Sequence, residues 1–415
     1  MRFGRTAIKV AEAQARIAPF IHPGDTEQIA LADSSGRYLA EDVTATHDVP
    51  HFRRSGMDGF AIRAADTRGA TRERPVLLEV IETVPCGDVP TTEVATGQAT
   101  RIMTGAAVPE GADAVVMFEM TDAVEREGKV YTAVKKEIAP GDNVTAIGQE
   151  VQKGTMLLEK GRRINAGEAA LLATFGYDTL SVYRQPTVAI FATGSELLPV
   201  GEAIRPGKIR NSNSYMLANQ VENAGGTPYV QQILPDVVDE AEEAIFNALQ
   251  TADMVITTGG VSVGDYDILV DILAKWDGDV LFNKLMMRPG SPTTVGRWRD
   301  TFLFALSGNP GACFVGFELF VRPVIAGMLG KRERELQPFT AILGADFRKP
   351  GAFPRYVRGK MSSEDGQVVV RPNGVDKSSI TVSIVDADCL IVIPPGGQGV
   401  RAGERVTALK LNVVD

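Results

Sequence analysis

The sequence predicts a multidomain α/β protein, in which a three-layer α/β domain with a parallel sheet is accompanied by β-rich domains. The chain has 415 residues, more than one ordinary domain holds, so we expect two to four domains. From Thr187 to about residue 330, short β-branched runs alternate with helical patterns, which is typical of a parallel sheet covered by helices on both faces. On either side of that stretch, short apolar runs are divided by Pro and Gly, which indicates β-rich domains.

Composition and charge narrow the class of protein. The net charge is −9 and no basic run occurs, which argues against nucleic acid as a partner. We expect that no apolar run approaches membrane-spanning length and hence no membrane span. Residues 1–20 have the pattern of an amphipathic helix without the apolar core of a signal peptide. Cys86, Cys313 and Cys389 are far apart and odd in number, which favours a reducing compartment over a disulfide framework. A cytoplasmic protein is therefore expected.

The outer parts of the chain show three patterns. Residues 1–48 are helical and then turn-rich, and residues 49–136 form short β-rich runs. A turn-rich bridge follows, and then a helix that begins after Asn165 and ends near Gly176. From about Gln337, roughly five strands predict a small barrel or sandwich. The three histidines are predicted to be surface residues rather than metal ligands.

The central α/β stretch alternates strands and helices in order. The predicted elements are a strand at Thr187–Thr193, a helix at Ser214–Ala224, a strand at Thr227–Leu234, a helix at Val237–Gln250, a strand at Asp253–Thr258, a helix at Tyr266–Trp276, and a strand at Phe302–Leu306 that leads into a long apolar helix. Three of the strands end in turns rich in glycine or serine. Ligands of such sheets bind outside the carboxyl ends of the strands, so all three turns are expected at the ligand side.

The composition of these turns predicts a site for a phosphate-rich ligand. Glycine lets the backbone approach a ligand closely, and amides at a helix N-terminus favour an anion. Lys284 and Arg288 flank a further glycine turn, and Asp265 and Asp267 provide carboxylates that suit a divalent cation. No G-x-G-x-x-G motif follows the first strand of this stretch, which disfavours a dinucleotide-dependent dehydrogenase.

Four motifs occur in an order that resembles one family. They are Ser-Gly-Met-Asp-Gly-Phe-Ala at Ser55–Ala61, Arg-Ile-Met-Thr-Gly-Ala-Ala-Val-Pro at Arg101–Pro109, Gly-Gly-Val-Ser-Val-Gly-Asp-Tyr-Asp at Gly259–Asp267, and Leu-Ser-Gly-Asn-Pro at Leu306–Pro310. Together they resemble the molybdenum insertases, the molybdopterin molybdenumtransferases MoeA and the gephyrin E domain, over essentially the whole chain. The resemblance implies an elongated discontinuous domain (1–48 with 137–183), an inserted β-rich domain (49–136), a molybdopterin-binding α/β domain (184–330) and a C-terminal barrel-like β domain (337–415).

The resemblance also implies an activity and partners. A family member is expected to insert molybdate into adenylylated molybdopterin, with Mg²⁺-dependent release of AMP. The expected partners are a second copy in a homodimer, a molybdopterin adenylyltransferase that donates the substrate, and molybdoenzyme-maturation proteins. In the family, the motifs at Asp58 and Thr104 reach the site of the other subunit.

The resemblance assigns roles to individual residues. The catalytic candidates are Asp58, Thr104, Glu196, Asp236, Asp267, Lys284 and Arg288. The candidates for binding the pterin cofactor are Gly259, Gly260, Ser262, Gly264, Ser307, Gly308, Asn309, Pro310, Arg355 and Ser378. The candidates for binding the metal are Glu196, Asp267 and Glu150.

Simpler interpretations of the same residues stay open. Glu196 and Asp236 suit the first turn of a helix, and Asp58 and Thr104 suit ordinary turns. Arg355, Arg358 and Lys360 lie on one strand-like run, where alternating cations are often a solvated face.

Some positions depart from the family pattern, and these departures leave an alternative function open. Ser291 and Ser307 stand where the family usually has Lys and Pro, Arg288 where it has Lys, Glu150 where it has Asp, and Thr145 where it has Arg. A divergent carrier or sensor that binds molybdopterin without loading metal is the alternative. The set of acidic residues favours the enzyme, because a pure binder does not need many carboxylates around an anion. An interaction scaffold, which the gephyrin relative suggests, is the third hypothesis.

Overall fold

The computed structural model describes residues 6–231, 233–234, 238–260, 272–273, 276–349 and 351–411. The chain forms two compact units. The larger consists of Met1–Glu41, Lys160–Ala169 and Thr179–Asp415, and the smaller of Asp42–Glu159 and Ala170–Asp178. Most of the helix predicted at Tyr266–Trp276 lies outside the described residues.

The helices and strands are numbered here in chain order. The helices are α1 (Val10–Ile17), α2 (Ala166–Thr174), α3 (Asn213–Ala224), α4 (Val238–Thr251), α5 (Pro310–Gly316) and α6 (Arg322–Met328). The strands are β1 (Thr26–Ala30), β2 (Val43–Thr44), β3 (Arg54–Ser55), β4 (Gly59–Ile62), β5 (Val76–Val84), β6 (Gln98–Ile102), β7 (Ala114–Met117), β8 (Thr121–Arg126), β9 (Lys129–Val134), β10 (Val144–Thr145), β11 (Met156–Leu158), β12 (Thr179–Tyr183), β13 (Thr187–Ala192), β14 (Leu197–Leu198), β15 (Ile209–Arg210), β16 (Thr227–Val230), β17 (Met254–Thr258), β18 (Asp279–Phe282), β19 (Thr294–Trp298), β20 (Thr301–Leu306), β21 (Pro338–Leu343), β22 (Arg355–Glu364), β23 (Gln367–Pro372), β24 (Cys389–Ile393) and β25 (Arg405–Lys410).

A six-stranded sheet organises the α/β part of the larger unit. Its strand order is β16-β13-β17-β20-β19-β18. The first four strands are parallel, as the strand–helix alternation predicts, and β19 pairs antiparallel with both β20 and β18. Strands β13, β17 and β20 are buried along nearly their whole length, because helices cover both faces.

Helices on the two faces make this part three-layered, as predicted. On one face α3, α5 and α6 contribute Leu217, Val315 and Val324 to a core that also contains Phe304 of β20. On the other face α4 packs Ile245 and other apolar residues against the sheet. Helix α3 ends at Gly225, which has φ +99°, a left-handed conformation that glycine adopts without strain.

One continuous helical run, Pro310–Met328, has the length and composition to cross a membrane. It has 19 residues and a mean hydropathy of 1.5, so the expectation that no apolar run approaches spanning length was wrong. However, 89% of this window is buried inside the protein, as in a core helix. A π-helical turn at Phe317–Val321 joins α5 to α6, and the buried Glu318 and Arg322 form an ion pair there.

The C-terminal part of the larger unit is a closed barrel, one of the two predicted forms. Its strand order is β21-β23-β22-β24-β25, and its interior holds Leu343, Val370 and Ile391. At the other end of the chain, β1 pairs antiparallel with β12, so segments from before and after the smaller unit meet in one ladder.

The smaller unit is β-rich, as the sequence predicts. Its main sheet has the order β7-β4-β6-β5-β9-β8. Apolar cores cover both faces of this sheet, one around Ile62 and Leu78 and the other around Ala61 and Ile102.

All three cysteines of the protein are free; Cys86 is exposed, and the other two are buried.

Candidate anion-binding site

Three turns meet at the carboxyl ends of β13, β17 and β20. The strands are in register there, with Ala192 opposite Thr258 and Thr258 opposite Leu306. The Gly259 amide donates to the Leu306 carbonyl at 3.1 Å, and the Thr193 amide donates to the Thr258 carbonyl at 3.0 Å. Backbone hydrogen bonds therefore bring the first residues after the three strands together.

Two glycines make the close approach of these turns possible. Gly259 has φ +93°, and a Cβ there would lie 2.4 Å from the Thr193 carbonyl oxygen. A Cβ on Gly308 would lie 3.3 Å from the Gly259 Cα. Because a side chain at Gly259 would collide with backbone, the turn after β17 requires glycine.

Asn213, at the start of α3, ties two of the turns together. Its Nδ2 donates to the Thr258 Oγ1 at 2.8 Å and to the Gly308 carbonyl at 2.9 Å. The side chain is buried, so these bonds replace contacts with water. The sequence prediction missed this residue. The polar run Asn211–Ser214 was the available signal, but it equally suits an ordinary helix start.

The turn after β20 combines a buried serine with exposed backbone. Ser307 is 7% exposed, and its Oγ accepts a hydrogen bond from the Asn309 amide at 3.2 Å. Gly308 and Asn309 are exposed, and Pro310 begins α5, where proline is favoured because its missing N–H is not needed.

Two of the predicted cations lie side by side. Arg288 and Arg355 form a parallel bridge: the Arg288 amide donates to the Pro354 carbonyl, and the Tyr356 amide donates to the Arg288 carbonyl. The peptide between Arg288 and Pro289 is cis. Gly290 lies against the Ala312 carbonyl in the first turn of α5. The turn that carries Arg288 therefore packs beside the helix that follows Ser307–Asn309.

Lys284 and Ser291 belong to the same turn. Lys284 is half-buried, and its carbonyl accepts a hydrogen bond from the Ile8 amide. The Ser291 hydroxyl donates to the Leu285 carbonyl at 2.7 Å, and the Leu285 amide donates to the Ser291 carbonyl at 2.8 Å. Ser291, where the family usually has lysine, thus closes the turn itself.

Ser378 is held close to the start of α5. Its carbonyl accepts a hydrogen bond from the Gly311 amide at 2.8 Å. The structure thereby brings the Ser378 loop to the helix that follows the Ser307 turn.

Glu196 is the described carboxylate in the turn after β13. It is exposed, and its carboxylate folds back over Gly194, where a Cβ would lie 2.5 Å from Oε2. No group of three His, Cys, Asp or Glu side chains suited to a metal occurs among the residues that the structure describes. Mg²⁺, however, usually binds through one or two carboxylates together with phosphate oxygens of the substrate. An exposed carboxylate beside the three turns fits that requirement.

In the smaller unit, Asp58 and Thr104 form a bonded pair. The Asp58 Oδ1 accepts hydrogen bonds from both the hydroxyl and the amide of Thr104, each at 2.7 Å. The hydroxyl, and then the amide, lower the pKa of Asp58 below its usual value, so this exposed carboxylate is ionised at neutral pH. Glu150 is the third metal candidate, and its Oε2 lies 3.7 Å from Arg54 Nη2.

The predicted site residues thus fall into three groups. The larger unit holds Glu196, Gly259, Gly260, Lys284, Arg288, Ser307, Gly308, Asn309, Pro310, Arg355 and Ser378. The smaller unit holds Asp58, Thr104 and Glu150. The remaining candidates lie outside the described residues: Asp236, Ser262, Gly264, Asp267 and its neighbour Asp265.

Comparison with known families matches nearly the whole chain. The MoeA N-terminal region (domains I and II) matches residues 8–176, a probable molybdopterin-binding domain matches residues 189–327, and the MoeA C-terminal region (domain IV) matches residues 340–411.

Individual relatives and solved structures agree with these matches. A molybdopterin molybdenumtransferase of Bacillus subtilis (strain 168) is 49% identical over 405 residues, which cover 98% of this chain and 94% of the relative. One of Staphylococcus aureus (strain Mu50) is 42% identical over 97% of this chain and 95% of the relative. A crystal structure of a molybdopterin biosynthesis MoeA protein from Pyrococcus horikoshii OT3 is 33% identical, with a TM-score of 0.82, and the match covers 98% of this chain and 100% of that one. The chain therefore belongs to the MoeA family of molybdopterin molybdenumtransferases.

Proposed function

We propose that this protein is a transferase of molybdenum cofactor biosynthesis, which inserts molybdate into adenylylated molybdopterin with Mg²⁺-dependent release of AMP. The observation that carries the proposal is the meeting of three glycine- and serine-containing turns at one edge of the sheet, where the Arg288–Pro289–Gly290 turn packs against α5. Backbone amides and guanidinium groups in that arrangement suit a ligand with several anionic groups. Family membership supplies the identity of that ligand.

The cations and turns would bind the anions. Arg288 and Arg355 offer planar, permanently charged groups that bind oxyanions in a bidentate manner. The resemblance implied that Arg355, Ser307 and Ser378 bind the pterin. We propose instead that they form a molybdate subsite, because the backbones of Arg288 and Arg355 are adjacent and both serines lie near the start of α5. Lys284 and the turns at Gly259–Gly260 and Gly308–Asn309 would then hold the phosphates of the adenylylated pterin.

The carboxylates would hold the divalent cation and orient the reacting groups. Glu196, together with Asp267, would hold Mg²⁺, which supplies positive charge to the phosphate oxygens of the adenylyl bond. Asp58 accepts two hydrogen bonds from Thr104, and we assign it to orienting the attacking group. We keep Asp236 and Glu150 as candidates for the catalytic set and the metal set. Stabilising negative charge on the phosphoryl oxygens would provide most of the rate.

We further propose that the protein acts in the cytoplasm as a homodimer, in which Asp58 and Thr104 serve the site of the partner subunit. It would receive its substrate from a molybdopterin adenylyltransferase and pass the product to molybdoenzyme-maturation proteins.

Mixing two inactive variants, Asp58→Asn and Asp267→Asn, tests the shared site. If one site draws on both chains, each mixed dimer has one intact site, and activity should return to about a quarter of the wild-type level. The two variants are unfolded together and refolded so that mixed dimers form. If this mixture stays inactive, Asp58 and Thr104 do not serve the site of the partner subunit.

The reaction itself is tested by AMP release. Purified protein is given adenylylated molybdopterin, Mg²⁺ and molybdate, and AMP is measured with and without molybdate. We expect molybdate-dependent release in the wild type and its loss in Asp267→Asn. Tight pterin binding without AMP in the wild type would refute the transferase and favour a molybdopterin carrier.

A further inference from the structure

A single buried carboxylate, Asp376, lies among three cations of the barrel. Its side chain is 5% exposed, and its oxygens lie 2.9 Å from Arg355 Nη1, 3.8 Å from Lys349 Nζ and 4.0 Å from Arg358 Nη2. The other two guanidinium nitrogens of Arg355 make no hydrogen bond to the part of the chain that the structure describes. Asp376 therefore fixes the direction of the Arg355 guanidinium, whose carbon also lies 5.9 Å from the centre of the Phe347 ring.

Arg358 is a fully buried cation that connects the barrel to α5. Its side chain is 1% exposed, although its position on a strand of alternating cations suggested a solvated face. Nε donates to the Ser383 hydroxyl at 2.9 Å, Nη2 to the Lys377 carbonyl at 3.1 Å, and Nη1 to the Gly311 carbonyl at 3.5 Å. A Cβ on Gly311 would lie 2.7 Å from Nη1, so glycine there makes room for the guanidinium.

These contacts hold one short segment, Asp376–Ser378, at three successive residues. The side chain of Asp376 binds Arg355, the carbonyl of Lys377 binds Arg358, and the carbonyl of Ser378 binds the Gly311 amide. Gly311 follows directly after the Ser307–Pro310 turn. The segment is thus fixed to the same helix start that carries the proposed molybdate subsite.

Stability alone does not account for this arrangement. Removing a guanidinium and a carboxylate from water is unfavourable, and apolar side chains of similar volume often stabilise a core as well or better. Buried charges, however, hold their partners in one geometry, because a shifted partner leaves a charge unsatisfied. Such a pair is expected where the direction of a ligand-binding group matters.

We infer that Asp376 and Arg358 are positioning residues that hold Arg355 and Ser378 in place for the oxyanion substrate. Neither residue contacts the substrate itself. The inference rests on the proposed function, because it assigns the two residues to the molybdate subsite of that same reaction. Their loss should therefore weaken the use of molybdate much more than the binding of the pterin.

The test measures AMP release against molybdate concentration in wild type, Asp376→Asn, Arg358→Met and Arg358→Lys. We expect the KM for molybdate to rise about ten-fold in Asp376→Asn, because a less well oriented Arg355 would lose about one hydrogen bond between charged groups to the oxyanion, with kcat within about three-fold. Arg358→Met should show the same pattern, and Arg358→Lys should recover part of the loss. Affinity for molybdopterin, measured by pterin fluorescence, should stay unchanged.

Asp386→Asn is the matched control. Asp386 lies in the same part of the chain, is 66% exposed, and lies 3.9 Å from Lys360 in a surface ion pair, so its KM should equal that of the wild type. Two results would overturn this inference but not the proposed function, provided that the wild type is active. One is an unchanged KM for molybdate in Asp376→Asn, and the other is a loss of pterin affinity as large as the rise in the KM for molybdate. Absence of molybdate-dependent AMP release from the wild type would overturn the proposed function, and this inference with it. Asp376→Asn preserves side-chain volume, so the test stands even if Arg358→Met does not fold.

Discussion

Replacing Gly259 with alanine tests whether the meeting of the three turns depends on the absence of one side chain. Two effects add at this position. The left-handed φ of +93° disfavours alanine by about 1–2 kcal/mol, of which a less flexible unfolded chain regains about 0.4–1 kcal/mol. The new Cβ would also lie 2.4 Å from the Thr193 carbonyl oxygen and 2.8 Å from its hydroxyl, and relieving such a clash costs about 1–3 kcal/mol. We expect a total loss of about 3 kcal/mol.

Gly403→Ala separates the two effects. Gly403 also lies in the larger unit and has φ +86°, but no other side chain or distant backbone atom of the described residues lies within 4 Å of the Cβ position. Its replacement should therefore cost only the conformational part, about 1 kcal/mol.

Urea unfolding followed by tryptophan fluorescence measures both variants. The only two tryptophans, Trp276 and Trp298, belong to the larger unit, so the signal follows the unit that carries both substitutions. Equal losses in Gly259→Ala and Gly403→Ala would refute the argument that close approach to Thr193 requires glycine. In that case the turn after β17 would have room to adapt.

Three further predictions follow from individual side chains. Thr104→Val removes the hydroxyl but keeps the amide that binds Asp58, so the pKa of Asp58 should rise part of the way towards its ordinary value in an NMR titration; an unchanged pKa would contradict this role. Burial raises the pKa of Asp253, but hydrogen bonds, chiefly from Arg184, outweigh burial and hold it below its usual value. Its contribution to stability is therefore present above about pH 4 and is lost as the pH falls through the lowered value. Asp253→Asn should accordingly lower the free energy of unfolding by about 1–2 kcal/mol at pH 7, with a smaller difference at pH 2. In a thiol titration of the folded protein, only the exposed Cys86 should react quickly, and three thiols should react in denaturant; rapid reaction of a second thiol would show that a buried cysteine is accessible.

Local patterns predicted the parallel strands and α3 of the α/β part well, because these elements have a chemical signal in their own residues. The end of α3 at Gly225 and the strand that ends at Thr258 could be placed from glycine and from runs of β-branched residues. The antiparallel strands β18 and β19 had no such signal. They are short, and pairing with β20, rather than their own composition, makes them part of the sheet.

Contacts between distant segments could not be predicted from local patterns. The pairing of β1 with β12 joins segments separated by the whole smaller unit, and only family resemblance suggested it. At the candidate site, the glycines were predicted because a close turn requires them. Asn213 and Asp376 were not predicted, because a polar residue at a helix start or in a loop has the same sequence pattern whether its partners are water or buried groups.

One of the two edge strands of the six-stranded sheet has a consequence for the behaviour of the protein at high concentration. Strand β16 lies at the edge of the sheet, and Tyr229 and Val230 are about half exposed there. An exposed edge strand can pair with the edge of another molecule and start aggregation. Pro228 lies within this strand and has no N–H to donate, so it interrupts the hydrogen-bonding edge that a second molecule would extend. A residue with no place in the proposed chemistry thus protects this edge of the sheet that carries the site from association with another molecule.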